Sequence, residues 1–169
     1  MQRLANPART LLFVGSGGHH SSGMNGPGNL VTMNPELMKR VKLVINLEHL
    51  AQYEIEAVPV WKVSTVEEPK NFGVSNMSPF LVKTVKEAAA RYGFTMQPEI
   101  TNSVPGDLGG YAPLNVARIQ GIHSGPLYHT SGDVLASISE NGLERAARFY
   151  ANVIEAALKA PADEINPPK

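Results

Sequence analysis

Two uninterrupted apolar runs constrain this chain more than any other feature. They are RTLLFVG, read as a strand over 10–15, and KLVINLEHL at 42–50. Short apolar stretches without polar alternation, rich in β-branched and aromatic residues, are the pattern of strands buried on both faces. Helical patterns alternate with them. NPELMKRV (34–41) offers Asn34 as N-cap and Pro35 at the first helical position. SPFLVKTVKEAAARYGF (78–94) opens on Ser78 and Pro79 and closes on Gly93. In SENGLERAARFYANVIEAALKA, Leu143, Ala146, Ala147, Tyr150, Val153, Ile154, Ala157 and Leu158 form one apolar stripe on a long helix capped by Ser139. Strands alternating with helices predict an α/β sandwich around a largely parallel sheet.

The remaining segments fill in that outline. YEIEAVPVWKVSTVEE (53–68) alternates as strand segments with one wet face, and Pro59 marks a break. TMQPEI reads as a short strand, SVPGDLGG (103–110) as a glycine-rich loop, and APLNVARIQG as a helix. IHSGPLY (122–128) reads as an extended segment leading to His129. A length of 169 residues predicts one domain, taken as 1–160, with PADEINPPK (161–169) as a flexible tail.

Composition narrows the function classes. Lys+Arg and Asp+Glu are equal at 15 each, so no basic footprint points to nucleic acid or an anionic membrane. No run approaches the ~18 apolar residues of a membrane span. The absence of cysteine removes disulfides and thiolate metal sites.

Three polar clusters directly follow apolar runs: His19-His20 in GSGGHHSSG, Glu48-His49, and Tyr128-His129. In open α/β sheets ligands bind beyond the carboxyl ends of the strands. Imidazole and carboxylate groups converging there are zinc-type donors. No HExxH motif is present, and adjacent histidines in a Gly/Ser loop are more often solvated than metal-bound. His123 reads as structural. GSGG places Ser16 one residue after Gly15, which misses the Gly-x-Ser-x-Gly elbow of a serine hydrolase.

Taken in order, RTLLFVGSGGHHSSG, LVINLEHL, PGDLGGYAPLNVARIQGI and LYHTSGD, followed by a long terminal helix, resemble the C-terminal part of the co-catalytic zinc exopeptidases. That family includes zinc aminopeptidases, glutamate carboxypeptidase and the transferrin receptor. The resemblance implies a three-layer sandwich with a mostly parallel central sheet, lacking the family's N-terminal strands and helix. It implies zinc as the cofactor, bound by His20, Glu48 and His129. His19 falls where the family has its general base, a glutamate, and Asp107 and Tyr128 fall in the substrate-binding part.

Two features of this sequence modify those expectations. A histidine base beside a dication would become cationic on protonation, whereas a carboxylate becomes neutral. About nine residues precede the RTLLFVG strand, so the family's first metal ligands have no counterpart here. The resemblance therefore implies an aminopeptidase-type hydrolase domain, acting on a peptide or small amide if active, incomplete in this chain and weakly active or inactive alone. The alternative is a non-catalytic binding or interaction domain on the same scaffold. An exposed sheet edge is implied either way, open to homodimerisation or to the missing N-terminal half.

Overall fold

The computed structural model describes residues 9–18, 20, 24–57, 59–67, 70–74, 78–94, 96–100, 106–123 and 125–168. Helices α1 (Gly26–Met33) and α2 (Pro35–Met38) precede strands β1 (Leu43–Leu47), β2 (Tyr53–Glu56), β3 (Lys62–Glu67) and β4 (Lys70–Val74). Helix α3 (Pro79–Tyr92), strands β5 (Met96–Ile100) and β6 (Ala117–Ile122), and helices α4 (Glu140–Lys159) and α5 (Ala162–Ile165) complete the order. A 3-10 segment, Gly106–Leu114, lies between β5 and β6.

The main sheet has the order β1-β6-β4-β5. The pairs β1–β6 and β4–β5 are parallel, and β4–β6 is antiparallel. The α/β expectation holds, with two of three pairings parallel. The strand segments that the alternation over 53–68 predicts are β2 and β3, which pair as a separate antiparallel hairpin. TMQPEI is strand β5, also as expected.

Both long helices start and stop where local chemistry says they should. The Ser78 hydroxyl accepts from the Leu81 amide, and Ser139 Oγ accepts from the Gly142 amide, each satisfying an orphan donor of the first turn. Gly93 ends α3 at φ 64°, a left-handed position that costs glycine nothing. The core is built from Leu81, Val85 and Ala88 of α3, Ala117 and Ile119 of β6, and Ala146, Phe149 and Val153 of α4. Phe149, absent from the expected stripe, is fully buried in it, while Leu143 stands exposed.

Five segments differ from their sequence reading. APLNVARIQG ends in strand β6, not a helix: Ala117 and Ile119 enter the core, whereas Arg118 donates to the Leu108 carbonyl and Gln120 accepts from Asn46. That period of two is a strand's, and the flanking strands β1 and β4 satisfy its backbone. IHSGPLY is extended only to Ile122; the Tyr128 amide then bonds the Gly125 carbonyl in a tight turn. Helix α2 stops at Met38, and Asn34 makes no capping bond, its amide donating instead to the Leu30 carbonyl.

The run at 10–15 is the largest correction. It joins no strand, and Leu11, Leu12, Phe13 and Val14 are 45%, 56%, 81% and 46% exposed. A strand needs a neighbour to bond, and among the described residues this run has none. At the other end, the expected tail folds back. Ile165 is buried in the core, and Asn166 accepts from the Ala117 amide and donates to the Lys42 carbonyl, closing the N-terminal ends of β6 and β1.

Burial of Tyr150 has a consequence for alkaline stability. Its hydroxyl accepts from the Gly121 amide, and burial pushes its pKa well above the ordinary tyrosine value. The folded chain therefore keeps this proton at a pH where the unfolded chain loses it, so the contribution is complete below about pH 10 and falls as pH rises further. The melting temperature should drop more steeply between pH 9 and pH 11 in the wild type than in Tyr150→Phe. Equal slopes would show that another group governs the alkaline limb.

Candidate functional site

The site assembles at the carboxyl ends of β1 and β6. His20 reaches it from the glycine-rich loop, where Gly18 sits at φ 81°. The Gly26 amide donates to the Gly17 carbonyl, and a β-carbon on Gly26 would lie 2.5 Å from that oxygen. Only glycine permits this close return of the chain.

Three imidazoles surround one phenol. His20 Nε2 and the Tyr128 hydroxyl are 2.9 Å apart. The His20 and His129 rings meet edge to face at 4.6 Å. Tyr128 and His129 stack at 3.7 Å, and His49 lies at 5.0 Å from the Tyr128 ring. His49 and His129 adopt φ values of 49° and 60°, a left-handed conformation uncommon outside glycine. Non-glycine strain of this kind clusters at functional sites because the surroundings must hold it in place.

Glu48 stands one residue beyond β1. Its Oε2 accepts from Asn46 Nδ2 at 2.8 Å, and its Oε1 lies 3.6 Å from His49 Nε2. Asn46 and Gln120 are register partners across the parallel β1–β6 pair, and Asn46 also donates to Gln120 Oε1 at 3.2 Å. His49 Nδ1 bonds the His123 carbonyl, which fixes the ring between Glu48 and Tyr128. Gly106, at φ 68°, passes directly beneath the carboxylate: a β-carbon there would be 2.7 Å from Glu48 Oε2. The next residue, Asp107, accepts from Ser16 Oγ at 3.1 Å. Burial, and then the Asp107 charge, raises the pKa of nearby Tyr111.

The residues singled out in the sequence thus fall into two adjoining groups. His20, Tyr128 and His129 are in mutual contact. Glu48 and Asp107 lie alongside, joined to the first group through His49 and to each other through Gly106. His19 lies outside the described residues. His49, seen in the sequence only as half of a polar pair, is the link between the groups. Asn46 and Gln120 are further residues of the site: the sequence signal for Asn46 is a polar residue within an otherwise apolar strand, whereas Gln120 lies in a segment whose sequence reads as a helix.

Chemically, this rim offers imidazole and carboxylate groups able to exchange protons, together with a phenol donor. As a zinc centre it falls short. Among the described residues no three His, Asp or Glu side chains converge to hold a metal ion. A structural zinc takes four protein ligands and a catalytic one about three. The donors present among the described residues do not fit a complete site.

No family model matches the sequence, and no curated protein does either. Solved structures match it in fold. A zinc aminopeptidase from Bacillus subtilis superposes with a TM-score of 0.56 and 18% identity, over 85% of this chain and 35% of that one. An aminopeptidase from Aneurinibacillus sp. strain AM-1 gives 0.58 and 14%, over 82% of this chain and 31% of that one. In fold, this chain is similar to part of a zinc aminopeptidase, and it spans about a third of the length of either structure.

Proposed function

We propose that this chain is one part of an aminopeptidase-type exopeptidase, with little or no hydrolytic activity alone. The observation that carries the reading is the meeting of His20, Tyr128 and His129 at the sheet's carboxyl edge, on a scaffold similar to that of zinc aminopeptidases. His20 and His129 would contribute imidazole donors to a metal and Glu48 a carboxylate, with the rest of the ligand set coming from residues beyond these. Tyr128 and Asp107 would orient a peptide or small amide, the phenol offering an O–H to a carbonyl oxygen. The sandwich would be completed to three layers by the part of the aminopeptidase fold that this chain does not cover.

Calorimetric titration with Zn²⁺ after chelator treatment tests the reading. The two imidazoles of His20 and His129, without a converging carboxylate, should give a single weak site, with a dissociation constant of micromolar or above on the order-of-magnitude scale of incomplete donor sets. His129→Ala should abolish it. Tight binding that survives His129→Ala would overturn the ligand assignment, and no saturable binding would leave a scaffold that serves as a binding domain. Aminoacyl-nitroanilides should not be hydrolysed above background. Turnover that depends on His129 would show instead that this chain is a working enzyme on its own.

A further inference from the structure

Tyr128 touches both of the imidazoles assigned to a metal. Its ring stacks on His129 at 3.7 Å, and its hydroxyl lies 2.9 Å from His20 Nε2. The His20 and His129 rings themselves meet at 4.6 Å, so one phenol is in contact with both members of the pair. The phenol has little room to withdraw. A tight turn holds its backbone, the Tyr128 amide donating to the Gly125 carbonyl and the Thr130 amide to the Leu127 carbonyl, both at 3.0 Å. His129 covers one face of its ring, and His49 meets the ring edge to face at 5.0 Å. His49 is anchored in turn on the His123 carbonyl.

A neutral imidazole carries one N–H and one lone pair, and a metal can use only the lone pair. Between a phenol and a neutral imidazole, the phenol is the better proton donor and the ring nitrogen the better acceptor. The Tyr128 O–H therefore donates to His20 Nε2, which leaves the ring proton on Nδ1 and engages the lone pair that faces His129 and Tyr128. A carboxylate in this place could serve a phenol and a metal together through its two oxygens. An imidazole has a single lone pair and must choose.

We infer that Tyr128 competes with a metal for His20: the phenol holds the nitrogen that a metal needs, and the rim closes on itself as an imidazole–phenol pair. The contact is an internal brake on the site, set by the hydroxyl alone. The inference rests on the assignment of His20 and His129 as metal donors, and it names the group in this chain that limits them.

Tyr128→Phe is the test, because it removes the hydroxyl and keeps the ring between His129 and His49. Calorimetric titration of the chelator-treated chain with Zn²⁺ should show binding about threefold to tenfold tighter in Tyr128→Phe than in the wild type, the range set by loss of one competing hydrogen bond. Without metal, nitrogen NMR of the imidazole rings should show His20 as the Nδ1–H tautomer in the wild type and as a mixture of tautomers in Tyr128→Phe. Equal zinc affinities would overturn the competition and leave the ligand assignment standing. Weaker binding by the variant would make the phenol a ligand and overturn it equally. No saturable binding by either chain would overturn the ligand assignment and the competition together. A His20 tautomer unmoved by the substitution would show that the hydroxyl does not hold Nε2, and would overturn the inference whatever zinc does.

Discussion

Phe149→Ala is expected to cost about 3–5 kcal/mol of folding free energy, the loss found for large aromatics truncated in a core that cannot collapse. Phe149 is fully buried, stacks on Phe94 at 4.6 Å with the rings only 10° from parallel, and meets Tyr150 edge to face at 4.9 Å. It belongs to the one cluster in which α3, β6 and α4 share their apolar faces. Removing the ring takes away its transfer free energy and leaves a void walled by three rigid elements. Against a domain stability of about 5–15 kcal/mol, this is a large fraction of the whole. Equilibrium urea denaturation of Phe149→Ala and, should that variant fail to fold, Phe149→Leu gives the number. Phe13→Ala provides the contrast at an exposed site and should move stability by no more than about 0.5 kcal/mol. If the two phenylalanines proved equivalent, α4 would not anchor the core as described.

Gly106→Ala should be the second most damaging change, at about 2–4 kcal/mol from two separable sources. An L-residue at φ 68° carries about 1–2 kcal/mol of left-handed backbone cost. The new β-carbon would also press to 2.7 Å on Glu48 Oε2 and to 3.4 Å on Ile122 Cδ1, adding about 1–2 kcal/mol of overpacking. The carboxylate has little freedom to withdraw, because Asn46 holds one oxygen and His49 stands at the other. A double-mutant cycle with Glu48→Ala separates the terms. Truncating Glu48 relieves the collision but not the backbone cost, so Gly106→Ala should be milder in the Glu48→Ala background by about 1 kcal/mol or more. Strict additivity of the two changes would mean that Glu48 does not rest on Gly106, and the assembly of the carboxylate group would need revision.

Three polar clusters follow apolar runs, and His20, Glu48-His49 and Tyr128-His129 do meet at one rim, although of these only Glu48-His49 directly follows a strand. Tyr128 and His129 are chain neighbours, so their contact is local. His20 lies 108 residues from Tyr128, and only the return of the glycine loop through Gly17 and Gly26 brings it there. The bridging role of His49 and the Asn46–Gln120 pairing depend on the register of β1 against β6, which no single segment encodes. The apolar content of a strand announces burial, but not which of its polar residues will face a neighbour across the sheet.

The elements determined by the sequence alone are those whose signals are local. Ser78, Pro79 and Gly93 bound α3, Ser139 opens α4, and the alternation over 53–68 marks strand segments, since caps, positive-φ glycine and side-chain period act within one or two turns of chain. Tertiary structure decided the rest. ARIQG is a strand because β1 and β4 lie on either side of it, and LLFV, the more strand-like sequence, is none because no described strand lies beside it. Ile165 and Asn166 are held because a core and two strand ends await them. A helix satisfies its own backbone hydrogen bonds, whereas a strand must find them on another segment. Strand identity therefore belongs to the pairing and cannot be read from either partner by itself.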